Sequence, residues 1–481
     1  MTRQANTPSI YWHDYETFGI NPKTDRPSQF AGIRTDLDLN IISEPLMIYA
    51  KPAEDFLPDP DACLVTGITP QHTQKNGLIE TDFIQTILRE FSKPNTCVAG
   101  FNSLRFDDEF TRYTLYRNLF PAYDREWQNG NSRWDIIDLV RLTHALRPDG
   151  INWPCHEDGS PSYQLALLTE ANHLVHETAH DALSDVTATI AIAKLIKEKQ
   201  PALYHYYFTH RQKRNTIKLL DVAHKKPVLH TSSMFSSKYY CTALVVPLIQ
   251  HPTNSNAVIC YDLRFNPEAL LTLPATEIRQ RLYTKTCDLK DGQERIALKT
   301  IHLNKCPVIV PAKIDTYVEQ RLNIDKISSH KYLLQLRNSP DLDHKLVEVF
   351  SEKDFEDNMT DPDQSLYSGP FFSDHDKKLM NDIHKLSPAS LVNKRFDFSD
   401  ARLDEMLFRY RGRNYPDLLN DEEKKRWERY ARDRIGNETH PWMTRLQFRA
   451  RINALKNDAS ILENKKHILD QLLEYEAGLL Q

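Results

Sequence analysis

Four carboxylates and one histidine carry the chemistry that this sequence could do. Asp14 and Glu16 stand two apart in Ile10-Tyr11-Trp12-His13-Asp14-Tyr15-Glu16-Thr17-Phe18. Ile10, Tyr11 and Trp12 are strand formers, and a strand's side-chain period of two aims both carboxylates at one face. Paired acids repel unless something positive lies between them, and a hard divalent ion with oxygen ligands is the natural partner. A lone D-x-E is more often a solvated turn, but the apolar strand ahead of this one directs attention further along. Asp107 sits where an apolar strand, Cys97–Asn102, runs through a loop into a helix beginning near Phe106-Asp107-Asp108-Glu109. Alone, such acids read as complements to the helix dipole. His180 and Asp185 open a long helix that runs to about Lys199, and alone the histidine reads as a cap. In this chain order the five residues form the inventory for two-metal phosphodiester hydrolysis, in which two divalent ions clamp the attacking and leaving oxygens. Carboxylates suit Mg²⁺, and a neutral histidine can take a proton from the attacking water.

The elements that must position these residues are legible in outline. Strands are expected at Ile10–His13, Phe30–Thr35, Asn40–Ile42 and Leu46–Ala50, broken by Gly19, Asn21-Pro22 and Asp36. Phe83, Ile87, Leu88 and Phe91 give residues 80–92 helical spacing. Further amphipathic helices are expected over 134–146 and 162–172. Strands alternating with helices make an α/β layer over residues 1–200. Beyond Pro201, residues 202–350 turn to short β-rich runs, Ala243–Ile249, Ala257–Asp262, Ile296–Leu303 and Val308–Pro311, which read as a small barrel or sandwich with helical insertions. An acidic linker at 351–363 leads into a helical domain over 358–481, with Leu403, Met406, Leu407 and Tyr410 and later Ile461, Ile468 and Leu472 at helical spacing.

Composition narrows the class. The chain has 481 residues, 40% hydrophobic and 26% charged, enough for two to four domains. No apolar run is long enough to span a bilayer. Seven scattered cysteines without a C-x-x-C pair argue against a zinc site or disulfide framework. With no signal peptide, the expected place is the cytoplasm. Residues 201–340 hold 20 Lys and Arg against 10 Asp and Glu, a surplus of ten positive charges in a chain of net −5, which leaves −15 elsewhere. That asymmetry suits either a local polyanion surface or a solvated basic face.

The constellation resembles the DEDDh branch of the ribonuclease-H-like 3′→5′ exonucleases. Longer motifs, His13–Gly19, Gln29–Asp36, Arg105–Glu109, Asn131–Asp135, Ala145–Pro148, Gly150–Pro154 and Asn304–Pro307, resemble the bacterial exonuclease I family over essentially the whole chain. The resemblance implies an α/β ribonuclease-H-like exonuclease domain, an SH3-like β-barrel domain and an α-helical C-terminal domain. It implies a processive 3′→5′ exodeoxyribonuclease that degrades single-stranded DNA to 5′-mononucleotides in DNA repair and recombination, as a monomer, with two Mg²⁺ ions for which Mn²⁺ can substitute. Asp14, Glu16, Asp107 and Asp185 would bind the metals, Glu16 would also touch the terminal 3′-hydroxyl, and His180 would be the general base. Thr17 and Phe18 would form the pocket for the last nucleotide, Phe18 packing against its base.

Single strands are held without sequence readout by stacking and phosphate contact. By match to the family, Arg112, Tyr123, Trp127, Arg141, Asn256, Lys299, Tyr367 and Phe371 are expected on the DNA. After Pro161-Ser162-Tyr163 the family pattern continues with Arg, whereas residue 164 is Gln; Gln164 is expected at the substrate with that phosphate contact either weakened or replaced. The acidic C-terminal tail of single-stranded-DNA-binding protein is the expected partner, with Lys226 and Arg337 at the family positions for it, and no membrane is involved. Two rival readings are an RNA 3′-exonuclease of the same superfamily, whose small members lack the two extra domains, and an inactive DNA-binding scaffold, which would not need all five site residues.

Overall fold

The structure, a computed structural model, describes residues 7–176, 181–313, 315–351, 361–392, 394–439 and 441–479. They divide into two compact units. The first unit joins the beginning and end of the chain, through residue 132, 176–187 and from 357 onward; the second holds 133–175 and 188–356.

In the first unit, β1 (Ser9–Thr17) is the axis. It pairs antiparallel with β2 (Pro27–Thr35), in register Asp14↔Ala31 and Glu16↔Gln29, and parallel with β4 (Thr96–Gly100). β2 pairs in turn with β3 (Leu46–Tyr49). Tyr11 and Tyr15 enter a core with Phe30, Val98, Leu115 and the Phe83, Ile84, Ile87 and Phe91 face of the Glu80–Phe91 helix. The period of two therefore puts Trp12, Asp14 and Glu16 on the other side of the strand. Asn40–Ile42, expected as a strand, makes only a single bridge from Ile41 to Thr35. Gly100 ends β4 where a Cβ would come within 2.7 Å of the His13 carbonyl, so glycine lets the two strands approach just before Asp14.

The C-terminal helices of the same unit include Arg402–Asn414, Asp421–Gly436, Arg445–Lys456 and Glu463–Gly478. Asp421–Gly436 and Arg445–Lys456 start at capping boxes, Asn420 with Glu423 and Thr444 with Gln447, which satisfy N–H groups at the first turn. Phe18, Phe56, Leu57 and Leu64 share one apolar core with Ile435, Phe448, Ile452, Leu469 and Leu472. Beside it lies a buried ionic knot. Arg413 donates from Nε to Asp55 Oδ2 at 2.9 Å and from Nη2 to Asp363 Oδ2 at 2.6 Å, while Arg409 Nη1 reaches Asp363 at 3.0 Å. Burial pushes Asp55 upward, but Arg413 and Arg434 outweigh it and hold that carboxyl down at about 2. Apolar core and ionic knot explain why the first and third segments of the sequence form one unit.

The second unit is organised around an antiparallel sheet in the order β10-β6-β7-β8-β9, where β6 is Val228–Thr231, β7 Thr242–Gln250, β8 Ala257–Asp262, β9 Leu298–His302 and β10 Val308–Pro311. A short strand, β5 (Ser132–Asp135), leads into this unit and into the helix Ile136–Leu146. Val228, Ala243, Val245, Val258, Cys260, Ile301 and Ile309 fill the core. β6 is four residues long and was not among the expected strands; its ladder partners Val308–Pro311 and Val245–Thr242 define it.

Candidate active site

β1 carries two acids to one end of the sheet, and the Ala182–Lys199 helix brings a third. The ligand oxygens of Asp14, Glu16 and Asp185 lie within 4.8 Å of one another. Gln29, opposite Glu16 in β2, fixes the helix start: its Nε2 donates to Asp181 Oδ1 at 3.3 Å and its Oε1 accepts from Ala182 N at 3.3 Å. Asp181 O accepts from Asp185 N at 3.0 Å, which seats Asp185 in the first turn. Asp107, almost wholly buried, opens the Asp107–Arg117 helix, and its Oδ1 accepts from Tyr15 N at 3.0 Å. Asp107 is thereby tied to the backbone between Asp14 and Glu16.

The electrostatics are those of a site built for a cation. Burial raises Asp14 well above the usual carboxylate range, and the charges of Asp107, Glu16 and Asp185 raise it further. Burial, then Asp185 and Asp181, push Glu16 up to about 8. Such displacements mark carboxylates that resist ionising together. All-oxygen donors gathered this closely fit a hard divalent ion. His180 lies outside the described residues. His176, which the sequence reading did not single out, places Nε2 at 2.6 Å from Asp185 Oδ1. Its signal in the sequence was only that it precedes His180 by four positions.

Three family profiles match the chain: "Exonuclease" over residues 11–193, "Exonuclease I SH3-like domain" over 211–352 and "Exonuclease I C-terminal domain" over 360–479. Exodeoxyribonuclease I of Haemophilus influenzae is 44% identical over 98% of this chain and 99% of its own. The chain belongs to the exonuclease I family. Among solved structures, exonuclease I from Methylocaldum szegediense matches at TM-score 0.94 and 48% identity, covering 98% of this chain and 100% of that one. Escherichia coli exonuclease I in complex with a dA16 oligonucleotide matches at TM-score 0.94 and 41% identity with the same coverage. Two further structures, a zinc-bound E. coli exonuclease I–ssDNA complex and SSB/exonuclease I with an inhibitor, match at TM-scores of 0.93 and 0.90, at 41% and 40% identity, covering 99% and 98% of this chain and all of theirs. The chain is therefore a nuclease, a hydrolase, with a ribonuclease-H-like exonuclease domain, an SH3-like domain and a helical C-terminal domain. Exonucleases of this kind need divalent metal ions, and the acidic cluster for them is present.

The other residues expected at the site divide by environment. Trp127, Tyr367 and Phe371 are 66%, 52% and 81% exposed, rings open to a ligand. Tyr123 is half-buried, its ring 6.1 Å from that of Phe371 and 6.5 Å from that of Tyr367. Phe18 departs from expectation: at 1% exposure it packs against Phe56 within the apolar core, so it presents no face to a base. Thr17 is also buried, its hydroxyl donating to the Gly19 carbonyl at 2.6 Å. Arg112 departs too. It is buried and committed to Glu126 through Nε at 2.7 Å and Nη2 at 3.0 Å, to Glu109 through Nη1 at 2.7 Å, and to the Tyr367 hydroxyl at 3.0 Å. These contacts join Arg112 to three protein partners, the Tyr367 hydroxyl among them.

In the second unit Arg141 is buried against Asp138 at 2.9 Å, whereas Gln164 is exposed at the entry to the Leu165–Ala171 helix. Asn256 accepts from Lys213, and the Lys299 ammonium lies 5.6 Å from the Phe235 ring centroid. Lys226 and Arg337 are exposed, and Arg337 Nη2 donates to the carbonyls of His224 and Lys225 at 2.9 and 3.0 Å. No helix among the described residues is long and apolar enough to cross a membrane.

Proposed function

We propose that this family member removes 5′-mononucleotides processively from the 3′ end of single-stranded DNA. The observation that carries the reading is the cluster of Asp14, Glu16 and Asp185, with Asp107 bound to the strand between the first two. These four carboxylates would hold two Mg²⁺ ions, with Mn²⁺ able to substitute. When bound, such ions stabilise developing charge on the phosphate and acidify a bound water. Glu16 also orients the terminal 3′-hydroxyl, and His180 takes the proton from the attacking water. Trp127, Tyr367 and Phe371 offer rings to unstacked bases, while Gln164, Asn256 and Lys299 supply polar contacts along the strand.

Of the three expected domains, 1–200 would carry the chemistry, 202–350 would bind strand and partner, and 358–481, which bears Tyr367 and Phe371, would close with it around the single strand. The chain acts as a monomer in the cytoplasm, in repair and recombination. Arg337, its guanidinium oriented by two carbonyls, and Lys226 would receive the acidic C-terminal tail of single-stranded-DNA-binding protein. The deciding experiment uses end-labelled single-stranded DNA, duplex DNA and RNA, each with Mg²⁺ or EDTA. Mononucleotides from single-stranded DNA alone, and only with Mg²⁺, are expected; equal digestion of RNA or duplex would overturn the reading.

A further inference from the structure

We infer that His176 is a positioning residue for the metal site, fixing the Asp185 carboxylate through a hydrogen bond. The Nε2–Oδ1 distance is 2.6 Å, and the two side chains are only 8% and 18% exposed. Asp14 and Glu16 are held by the β1 ladder; Asp107 and Asp185 both come from the first turns of helices, and Asp107 is tied to the strand by the Tyr15 amide, as Asp185 is tied to His176. A helical Asp rotates about χ1 and χ2, and the helix backbone does not set the plane of its carboxylate. A hydrogen bond to one oxygen sets that plane and so the direction of both oxygens. Donation by the imidazole Nε2–H is enough for this role, so it needs no change of charge on His176. Partners of this kind, donating to a metal-ligating carboxylate, typically contribute a factor of about 10–100 in metal affinity.

This inference rests on the reading of Asp185 as a metal ligand, and one experiment separates the two. Mn²⁺ binding to the full-length protein would be titrated by electron paramagnetic resonance, without DNA, for wild type, His176→Ala, His176→Gln and Asp185→Asn. The thermal midpoint of each would be recorded as a check on folding. His176→Ala is expected to need about 10–100-fold more Mn²⁺ for half-saturation at an unchanged midpoint. His176→Gln, which keeps an N–H at similar reach, is expected to recover most of that loss, which a merely space-filling role would not produce. Asp185→Asn is expected to lose tight binding. Wild-type Mn²⁺ binding in His176→Ala, with binding lost in Asp185→Asn, would overturn the positioning role alone. Wild-type binding in both would overturn the metal-site reading beneath it. Normal Mn²⁺ binding in His176→Ala with turnover slowed by two or more orders of magnitude would make His176 a proton-transfer group instead and would also overturn the inference.

Discussion

Glu16→Gln should stabilise the metal-free protein, and more so as pH rises. In the folded chain the Glu16 carboxyl is displaced from 4.5 to about 8. Between those values the folded protein keeps a proton that the unfolded chain has already lost, so raising pH favours the unfolded chain. At about 1.4 kcal/mol per pH decade, the contribution of this one group changes by about 3 kcal/mol between pH 5.5 and 8.5. With an unfolding entropy of about 2.1 cal/mol/K per residue, that amounts to roughly 3 °C if all 481 residues unfold together and about 6 °C if a unit of half that size unfolds alone. The assay is differential scanning of EDTA-treated protein at both pH values, wild type against Glu16→Gln, repeated with saturating Mg²⁺. Wild type should lose several degrees on going to pH 8.5, with Asp14 adding in the same direction. Glu16→Gln should flatten the slope by the amount given, and Mg²⁺ should abolish most of it in wild type. A wild-type apoprotein as stable at pH 8.5 as at 5.5, or an unaltered slope in Glu16→Gln, would refute the reasoning.

Asp14→Ala or Asp185→Ala should abolish cleavage while leaving single-strand binding within a few-fold of wild type in a filter or anisotropy assay; retained turnover would remove the metal assignment. His180→Ala should slow turnover about 10²–10⁴-fold, with partial recovery at higher pH, and normal single-turnover rates near neutrality would make it a cap instead. Phe18→Ala should lower stability by about 3–5 kcal/mol as a core truncation, whereas Phe371→Ala should leave the thermal midpoint in place and weaken single-strand binding by about 1–3 kcal/mol; the reverse pattern would exchange their roles. Charge reversal at Arg337 should spare digestion of naked single-stranded DNA and impair digestion of DNA coated with its binding protein, measured side by side; equal loss on both would place Arg337 on the DNA path.

What could be read from the sequence was whatever depends on short-range periodicity. The period of two in β1 sends Asp14 and Glu16 to one face, and helical spacing finds Phe83, Ile87 and Phe91. That Asp185 joins the two strand acids was suggested by composition and chain order rather than by any local rule. Phe18 reads locally like Trp12 or Tyr15, yet its surroundings come from Ile435, Phe448 and Leu469, more than 400 residues away. Arg112 looks like a free cation in the sequence, but it is paired with Glu126, 14 residues on, and bonded to Tyr367, 255 residues on. β6 escaped because four residues hold too little alternation to stand out, and only its neighbours β7 and β10 make it a strand.

The ionic knot at Asp55 also bears on the order in which the molecule can come into being. Arg413, its partner, is 358 positions further along the chain. At about 5–20 residues per second, a ribosome that has released Asp55 adds Arg413 some 20–70 s later. The second unit ends at residue 356, so it is complete about 3–11 s before Arg413 is added. The half that bears the acids cannot close over Asp55 and Phe18 until the last helices are made. A growing chain therefore has its barrel before it has a finished nuclease, and an interrupted translation product lacks the closing pieces of the half that cuts.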